Sequence, residues 1–203
     1  MPPPLTKARL SRDPVRQFAA WFADATRCRA IEFPEAMCLS TIDERGFPDG
    51  RIVLLKQHDA RGFVFYTDSR SAKGRALAKR PTAALTWYWE PLRRQVRVQG
   101  IAEVVSDDEA DAYFRTRARL SQLAAWASMQ SAMLADRSVL ARRVARVRHR
   151  FRGRPVPRPP FWAGFRVVPS KVEFWQDRPN RLHDRFLFTR TRRGAWSVTR
   201  LYP

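Results

Sequence analysis

The chain has 203 residues, 44% of them apolar, with seven Trp and thirteen Phe; this is enough for one sizeable core and excludes a disordered polyelectrolyte despite a formal charge of +20. No apolar run approaches the roughly 18 residues of a membrane span, Met1-Pro2-Pro3-Pro4 lacks the apolar segment of a signal peptide, and Cys28 and Cys38 fit neither a zinc pattern nor a disulfide framework. The expectation is a soluble, cytoplasmic protein with two reduced thiols.

In chain order, residues 1–13 read as a flexible arm. Asp13 caps a helix over 14–29, with Pro14 in its first turn and Phe18, Trp21, Phe22 and Ala25 on one face. Strand-like runs at 37–42, 51–57 and 63–67, divided by Asp43-Glu44-Arg45-Gly46 and Asp59-Ala60-Arg61-Gly62, predict a meander. A short helix over 71–80 ends at Pro81, and 82–89 and 95–105 are two further strands. Ser106-Asp107-Asp108-Glu109 has the spacing of a capping box and opens a helix to about residue 115. Helices are predicted over 120–128 and 136–150, an extended proline-rich linker over 154–160, and closing strands over 165–175, 182–189 and 195–201. Strands with inserted and flanking helices give the α+β class and an antiparallel barrel, with 14–203 as a single domain.

The basic excess is nearly all arginine, since only Lys7, Lys56, Lys73, Lys79 and Lys171 are lysines. A diffuse arginine bias on a solvated surface accounts for most of it; nucleic acid or a phosphorylated small molecule is the functional alternative. One local concentration stands out: Arg142, Arg143, Arg146, Arg148, Arg150, Arg152 and Arg154. Dinucleotide, P-loop, zinc-helix and nucleophile-elbow signatures are missing, and His58, His149 and His183 are too scattered for a metal site, so none is expected.

Basic residues among apolar strands remain. Arg51 and Lys56 bracket Ile52-Val53-Leu54-Leu55, and five residues of regular strand would turn them to opposite faces. Tyr66-Thr67 and Ser71-Ala72-Lys73 lie at a strand-to-helix junction, where hydroxyls, backbone N–H groups and one ammonium suit an anion. Arg181-Leu182-His183-Asp184-Arg185 reads either as a solvated edge strand or as a pocket wall. As a strand it sets Arg181, His183 and Arg185 on one face, where they repel unless an anion or polarised ligand lies between them.

These pieces resemble the pyridoxine (pyridoxamine) 5′-phosphate oxidases. The resemblance is carried by residues 51–56, Tyr66-Thr67, Arg94-Gln95-Val96, Ser121-Gln122, Trp126, Gln130-Ser131, Phe161-Trp162, Glu173-Phe174-Trp175-Gln176, residues 181–185 and the closing Arg200-Leu201-Tyr202-Pro203. They are colinear from about residue 14 to the last. The resemblance implies an FMN-binding split barrel working as a homodimer, with flavin in two clefts at the subunit interface. It implies that Arg51, Ile52, Val53, Leu54, Leu55, Lys56, Tyr66, Thr67, Ser71, Lys73 and Gln95 hold the flavin from one subunit, and that Gln130, Ser131, Trp175 and Arg185 complete the cleft from the other. Lys56, Tyr113, Arg117 and Ser121 would hold substrate phosphate, while Arg181 and His183, the catalytic pair, would cover the pyridine ring.

The implied reaction is oxidation of pyridoxine or pyridoxamine 5′-phosphate by O2 to pyridoxal 5′-phosphate, with hydrogen peroxide and, from the amine, ammonia; nucleic acid is not an expected partner. The alternatives are a split-barrel oxidase of the phenazine-precursor type and a non-catalytic basic module binding flavin or nucleic acid. Three departures stand out. Ala72 replaces a usual flavin-phosphate arginine, for which Arg70 or Arg75 could substitute; Phe33 replaces an acidic residue; and Ala118 replaces a proline beside Arg117.

Overall fold

The computed structural model describes residues 3–203. Its first helix, α1 (Pro14–Arg27), starts where Asp13 Oδ1 accepts the Val15 N–H at 2.8 Å, one turn-one donor satisfied by a side chain, with Pro14 at a position needing no N–H. Val15, Phe18, Trp21 and Ala25 are buried. Phe18 is fully buried, its ring centroid 4.8 Å from Trp87 and 4.9 Å from Phe63. Burying one such ring contributes about 1.5–3 kcal/mol, so this helix face holds the sheet closed at one end.

The strands are β1 (Ala36–Ile42), β2 (Pro48–Leu54), β3 (Gln57–Asp59), β4 (Gly62–Asp68), β5 (Thr82–Trp89), β6 (Arg94–Val104), β7 (Trp162–Gln176), β8 (Asp184–Arg190) and β9 (Trp196–Leu201). The remaining helices are α2 (Ala72–Lys79), α3 (Asp107–Thr116), α4 (Arg119–Ala127) and α5 (Arg137–Arg150). All strand pairs are antiparallel, in the order β2-β1-β5-β6-β7-β4-β3, with β8 and β9 continuing from β7. The early part of β7 pairs β4 and its later part pairs β8, while β6 runs along nearly all of it. That shared strand divides the curled sheet into two wings and gives the split-barrel architecture, α+β as the sequence predicts.

The predicted meander does not form. β1 and β2 are a hairpin, but β4 leaves them to pair β3 and β7. The run predicted as one strand over 51–57 is two: Leu55 N–H bonds Glu35 O, whereas Lys56 N–H bonds Val64 O. The chain thus changes partner strand between Leu55 and Lys56. Nor do the described residues of the arm hang free. Leu5 is buried in the main core, its N–H donates to Asp184 Oδ2 at 3.1 Å, and Pro3 O accepts from Gln176 Nε2. The proline-rich linker is extended but packed. Val156 is buried with Phe114, Leu123 and Trp162, and Arg158 pairs with Asp107 and Asp111.

A bulge between Gln99 and Gly100 lets β6 follow the bend of β7. A Cβ at Gly100 would lie 2.0 Å from Val168 O, a backbone atom that cannot move aside cheaply. Gly100→Ala is therefore expected to lower stability by about 1–3 kcal/mol, read as a lower urea midpoint at unchanged m value.

Candidate active site

Three elements converge on one cavity. β2 brings Arg51, whose Nη1 donates to Thr41 Oγ1 at 2.8 Å and Leu39 O at 3.2 Å and whose Nη2 pairs with Asp49. β4 brings Tyr66 and Thr67. α2, capped by the fully buried Ser71, whose Oγ accepts from Gly74 N–H, brings Lys73. The cavity, about 310 Å³, is lined by Arg51, Tyr66, Thr67 and Lys73 together with Ile52, Val53, Leu54, Lys56, Tyr113, Arg117, Gln130 and Trp162, whereas Ser71 lies outside it. A second hollow of about 290 Å³ shares Tyr66, Thr67, Arg117, Gln130 and Trp162 with it and extends to Ser121. Together they form one cleft of ligand size.

Arg51 and Lys56 therefore line the same cavity, against the expectation of opposite faces. The change of partner strand at Leu55 breaks the period of two, and alternation counts only within a continuous ladder. Leu55 itself is buried in the core behind the cavity.

The cavity is electrostatically unfinished. Lys73 is buried, donating from Nζ to Gln130 Oε1 at 2.8 Å and Thr67 Oγ1 at 3.3 Å, with no carboxylate in reach. Burial, then the nearby Arg51 cation, holds its pKa below the usual lysine value. Burial likewise pushes the Tyr66 phenol up to about 12, so it stays a neutral donor, yet its buried hydroxyl has no partner. Arg117 Nη1 is also buried and unpartnered; burial lowers its pKa, and its guanidinium stacks 5.0 Å over the Trp162 ring. A buried ammonium and two orphaned donors leave a costly deficit that an anion with several acceptor oxygens removes. The donor set fits a phosphate-bearing cofactor and a phosphorylated substrate. A larger hollow of about 360 Å³ on the sheet, between Ser40 and Ser170, has no ionisable lining and offers no such match.

The other predicted residues lie elsewhere on the chain. Gln95, Trp175 and Arg185 are direct cross-strand partners on β6, β7 and β8 and so share one face. His183 packs on Trp175 with ring centroids 4.6 Å apart. None of these lines the cavity of Lys73. Gln130, expected to reach the cleft from the other subunit, instead bonds Lys73 and Thr67 of its own chain, whereas Gln95 stands with Trp175 and Arg185. Ser131 is exposed at φ 71° beside Gln130.

The run 181–185 is not the strand its alternation suggests. Asn180 and Arg181 have φ of 57° and 61°, and β8 begins only at Asp184. The counter-charges come from the adjoining strand, the turn and the run itself. Glu173 accepts from Arg185 Nε at 2.8 Å, Asp177 Oδ1 lies 3.0 Å from His183 Nδ1, and the buried Asp184 pairs with Arg178 and Arg200. Arg181 alone of that run is exposed and unpartnered among the described residues. As for the missing arginine at Ala72, both proposed substitutes are engaged. Arg70 is held by two bonds to Asp68 and lies 3.3 Å over Phe161, while Arg75 bonds Arg70 O and pairs with Glu44. Sequence reasoning gave no role to Trp162, though Phe161-Trp162 was among the resembling pieces. Its ring stacks on Tyr66 at 4.8 Å and supports Arg117.

Comparison with known proteins decides the family. Residues 24–151 match the family described as pyridoxamine 5′-phosphate oxidase, and residues 162–203 match its C-terminal dimerisation region. The chain belongs to the pyridoxine/pyridoxamine 5′-phosphate oxidase family. It is 51% identical to the pyridoxine/pyridoxamine 5′-phosphate oxidase of Myxococcus xanthus DK1622, over 98% of this chain and 96% of the relative. It is 54% identical to that of Azorhizobium caulinodans, over 94% and 90%. Among solved structures, PhzG from Burkholderia lata 383, in complex with tetrahydrophenazine-1-carboxylic acid, superposes at TM-score 0.91 with 30% identity over 98% of both chains. A pyridoxamine 5′-phosphate oxidase-related, FMN-binding protein from Nostoc punctiforme shares the fold at TM-score 0.75 and 19% identity, over 96% of this chain and all of that one.

Proposed function

We propose that this member of the oxidase family is an FMN-dependent homodimer that oxidises pyridoxine 5′-phosphate and pyridoxamine 5′-phosphate to pyridoxal 5′-phosphate in the cytoplasm, with O2 as oxidant and hydrogen peroxide as by-product. The observation that carries this reading is the buried Lys73, which makes no salt bridge, in a cavity that also holds the orphaned donors of Tyr66 and Arg117. Residues 14–203 act as the oxidase domain. FMN, when bound, supplies a two-electron acceptor that O2 can regenerate.

The chain's own residues bind, orient and exclude. Lys73 and Arg51, with Thr67 and Tyr66, hold the flavin phosphate and neighbouring oxygens. Ser71 fixes the start of α2 and so the position of Lys73. Residues 52–54 line the cavity beside these groups and would wall the ring system of the bound cofactor. Lys56, Tyr113, Arg117 and Ser121 hold the substrate phosphate, Arg117 being aimed by its stack on Trp162. Two cationic cradles keep the two phosphates from exchanging places, and charge-assisted bonds give each a fixed orientation.

Gln95, Trp175, Arg185, His183 and Arg181 form a second group, which we assign to the cleft of the partner subunit. In this reading Arg181 meets the reacting carbon and His183 orients the pyridine ring. The His183 Nδ1 lies 3.0 Å from Asp177 Oδ1 and 3.2 Å from the Arg178 N–H, two contacts that hold the ring's orientation.

The phenazine-precursor reading is second, because the PhzG structure is 30% identical whereas the vitamin-substrate relatives reach 51–54%. Anaerobic mixing of FMN-loaded protein with pyridoxine 5′-phosphate tests the proposal. Bleaching of the flavin absorbance within the mixing time is expected, and a spectrum unchanged over an hour refutes the substrate assignment.

A further inference from the structure

The arginine concentration over 142–154 has no part in the proposed reaction, and the structure separates it from the diffuse bias of the chain. Elsewhere many arginines meet carboxylates, as Arg27 meets Asp24, Arg70 Asp68 and Arg166 Glu109, and those that do not, such as Arg80 and Arg190, are interspersed with paired ones. Among the described residues, no arginine between positions 98 and 157 does so. Residues 112–172 carry fourteen Lys and Arg against one carboxylate, Asp136, and that one accepts the Ser138 N–H as the cap of α5.

Several of these side chains are held rather than loose. Arg143 Nε donates to Ala127 O at 2.6 Å, Arg142 Nη1 to Ser138 Oγ at 2.9 Å, and Arg150 stacks 4.9 Å over Trp126. Arg143, Arg146 and Arg150, with Ala127 and Val147, line a concavity of about 240 Å³. The helix rises about 1.5 Å per residue, so Arg142, Arg146 and Arg150 follow one another at about 6 Å along nearly one line. A nucleic-acid strand carries a phosphate every 3.4 Å or so of its axis, which brings alternate phosphates close to that interval.

We propose that α5 is a docking ridge for the phosphate backbone of nucleic acid. Arginine forks match phosphate oxygens bidentately, and unpaired arginines meet such a ligand with no internal ion pair to break. A lipid surface fits less well, because the exposed residues of α5 are Arg, His, Ala and Ser, with no large apolar side chain to enter a bilayer. The matched dimerisation region, 162–203, does not include this helix.

Fluorescence anisotropy of a labelled 30-base-pair duplex against the FMN-loaded protein tests this, between 50 and 200 mM KCl. Wild type is expected to bind at micromolar concentration in 50 mM salt and to weaken more than tenfold by 200 mM. Arg142→Gln/Arg146→Gln/Arg148→Gln should bind at least tenfold more weakly at 50 mM, with a log–log salt slope shallower by about 2.7 and turnover unchanged. Arg190→Gln/Arg192→Gln/Arg193→Gln removes the same charge from the β8–β9 hairpin and should bind within about threefold of wild type. Equal losses in both variants would make this bulk charge attraction and overturn the proposal. So would failure of wild type to bind at 50 mM, tighter binding to phosphatidylserine vesicles than to the duplex, or displacement of the duplex by saturating pyridoxal 5′-phosphate.

Discussion

Lys73→Met is expected to raise the FMN dissociation constant about 10- to 100-fold while making the flavin-free protein more stable. A hydrogen bond to a charged group contributes about 1.5–3 kcal/mol, which gives the affinity range. The stability gain follows from burial. In the flavin-free protein the ammonium is desolvated and repelled by Arg51, and these outweigh the longer-range pull of Asp68 and Asp49, so its pKa is held down. Methionine keeps the stem's packing and leaves Thr67 still donating to Gln130 Oε1 at 2.7 Å, so the change orphans no polar atom.

The pH dependence has a definite sign. A lysine whose folded pKa lies below its unfolded value of 10.5 binds more protons when unfolded, so stability rises with pH across that window. The advantage of the methionine variant over wild type should thus be greatest near neutrality and shrink as pH approaches 10.5. Flavin fluorescence titration measures the affinity, and urea unfolding of flavin-free protein at several pH values measures the rest. Unchanged flavin affinity would remove Lys73 from the phosphate cradle.

Arg181→Ala is expected to cut kcat about 100- to 1000-fold, the usual loss when a fixed charge that acts mainly in the transition state is removed. Flavin content per chain and unfolding midpoint should stay near wild type. Arg181 is exposed, makes no bond within the described chain and sits with Asn180 in consecutive left-handed conformations. Such backbone costs of order 1–3 kcal/mol per residue, and an unpartnered surface side chain returns none of it to the fold. The proposed contact with substrate would offset that cost. Equal losses of turnover and flavin would assign Arg181 to the cofactor instead.

Much of this molecule is legible in the chain. Asp13-Pro14, Ser71 and Ser106 mark helix starts because capping is a local bargain between one side chain and the next N–H groups. The strands from Thr82 to Val104 and the shape of the C-terminal hairpin follow from alternation and turns. Trp162 was harder. Its role rests on rings from β4 and α3 and on Arg117, contributions that sequence spacing does not bring together.

The run 181–185 shows where sequence reading stops. The sequence alone established that residues 181–185 are cation-rich and flanked by aromatic strand sequence, and the matching motifs determined the family. Only the tertiary structure decided that the segment is a left-handed turn leading into a strand, and that Asp177 and Glu173 meet His183 and Arg185 while Arg181 remains free. The resemblance grouped Arg51, Lys56 and Lys73, but only the fold brought Gln130 of the same chain beside them and left Gln95 outside the cavity. Side-chain alternation is a property of an unbroken strand and can be read locally. Which strand a segment pairs with is fixed by long-range packing, so side-chain periodicity alone does not reveal it.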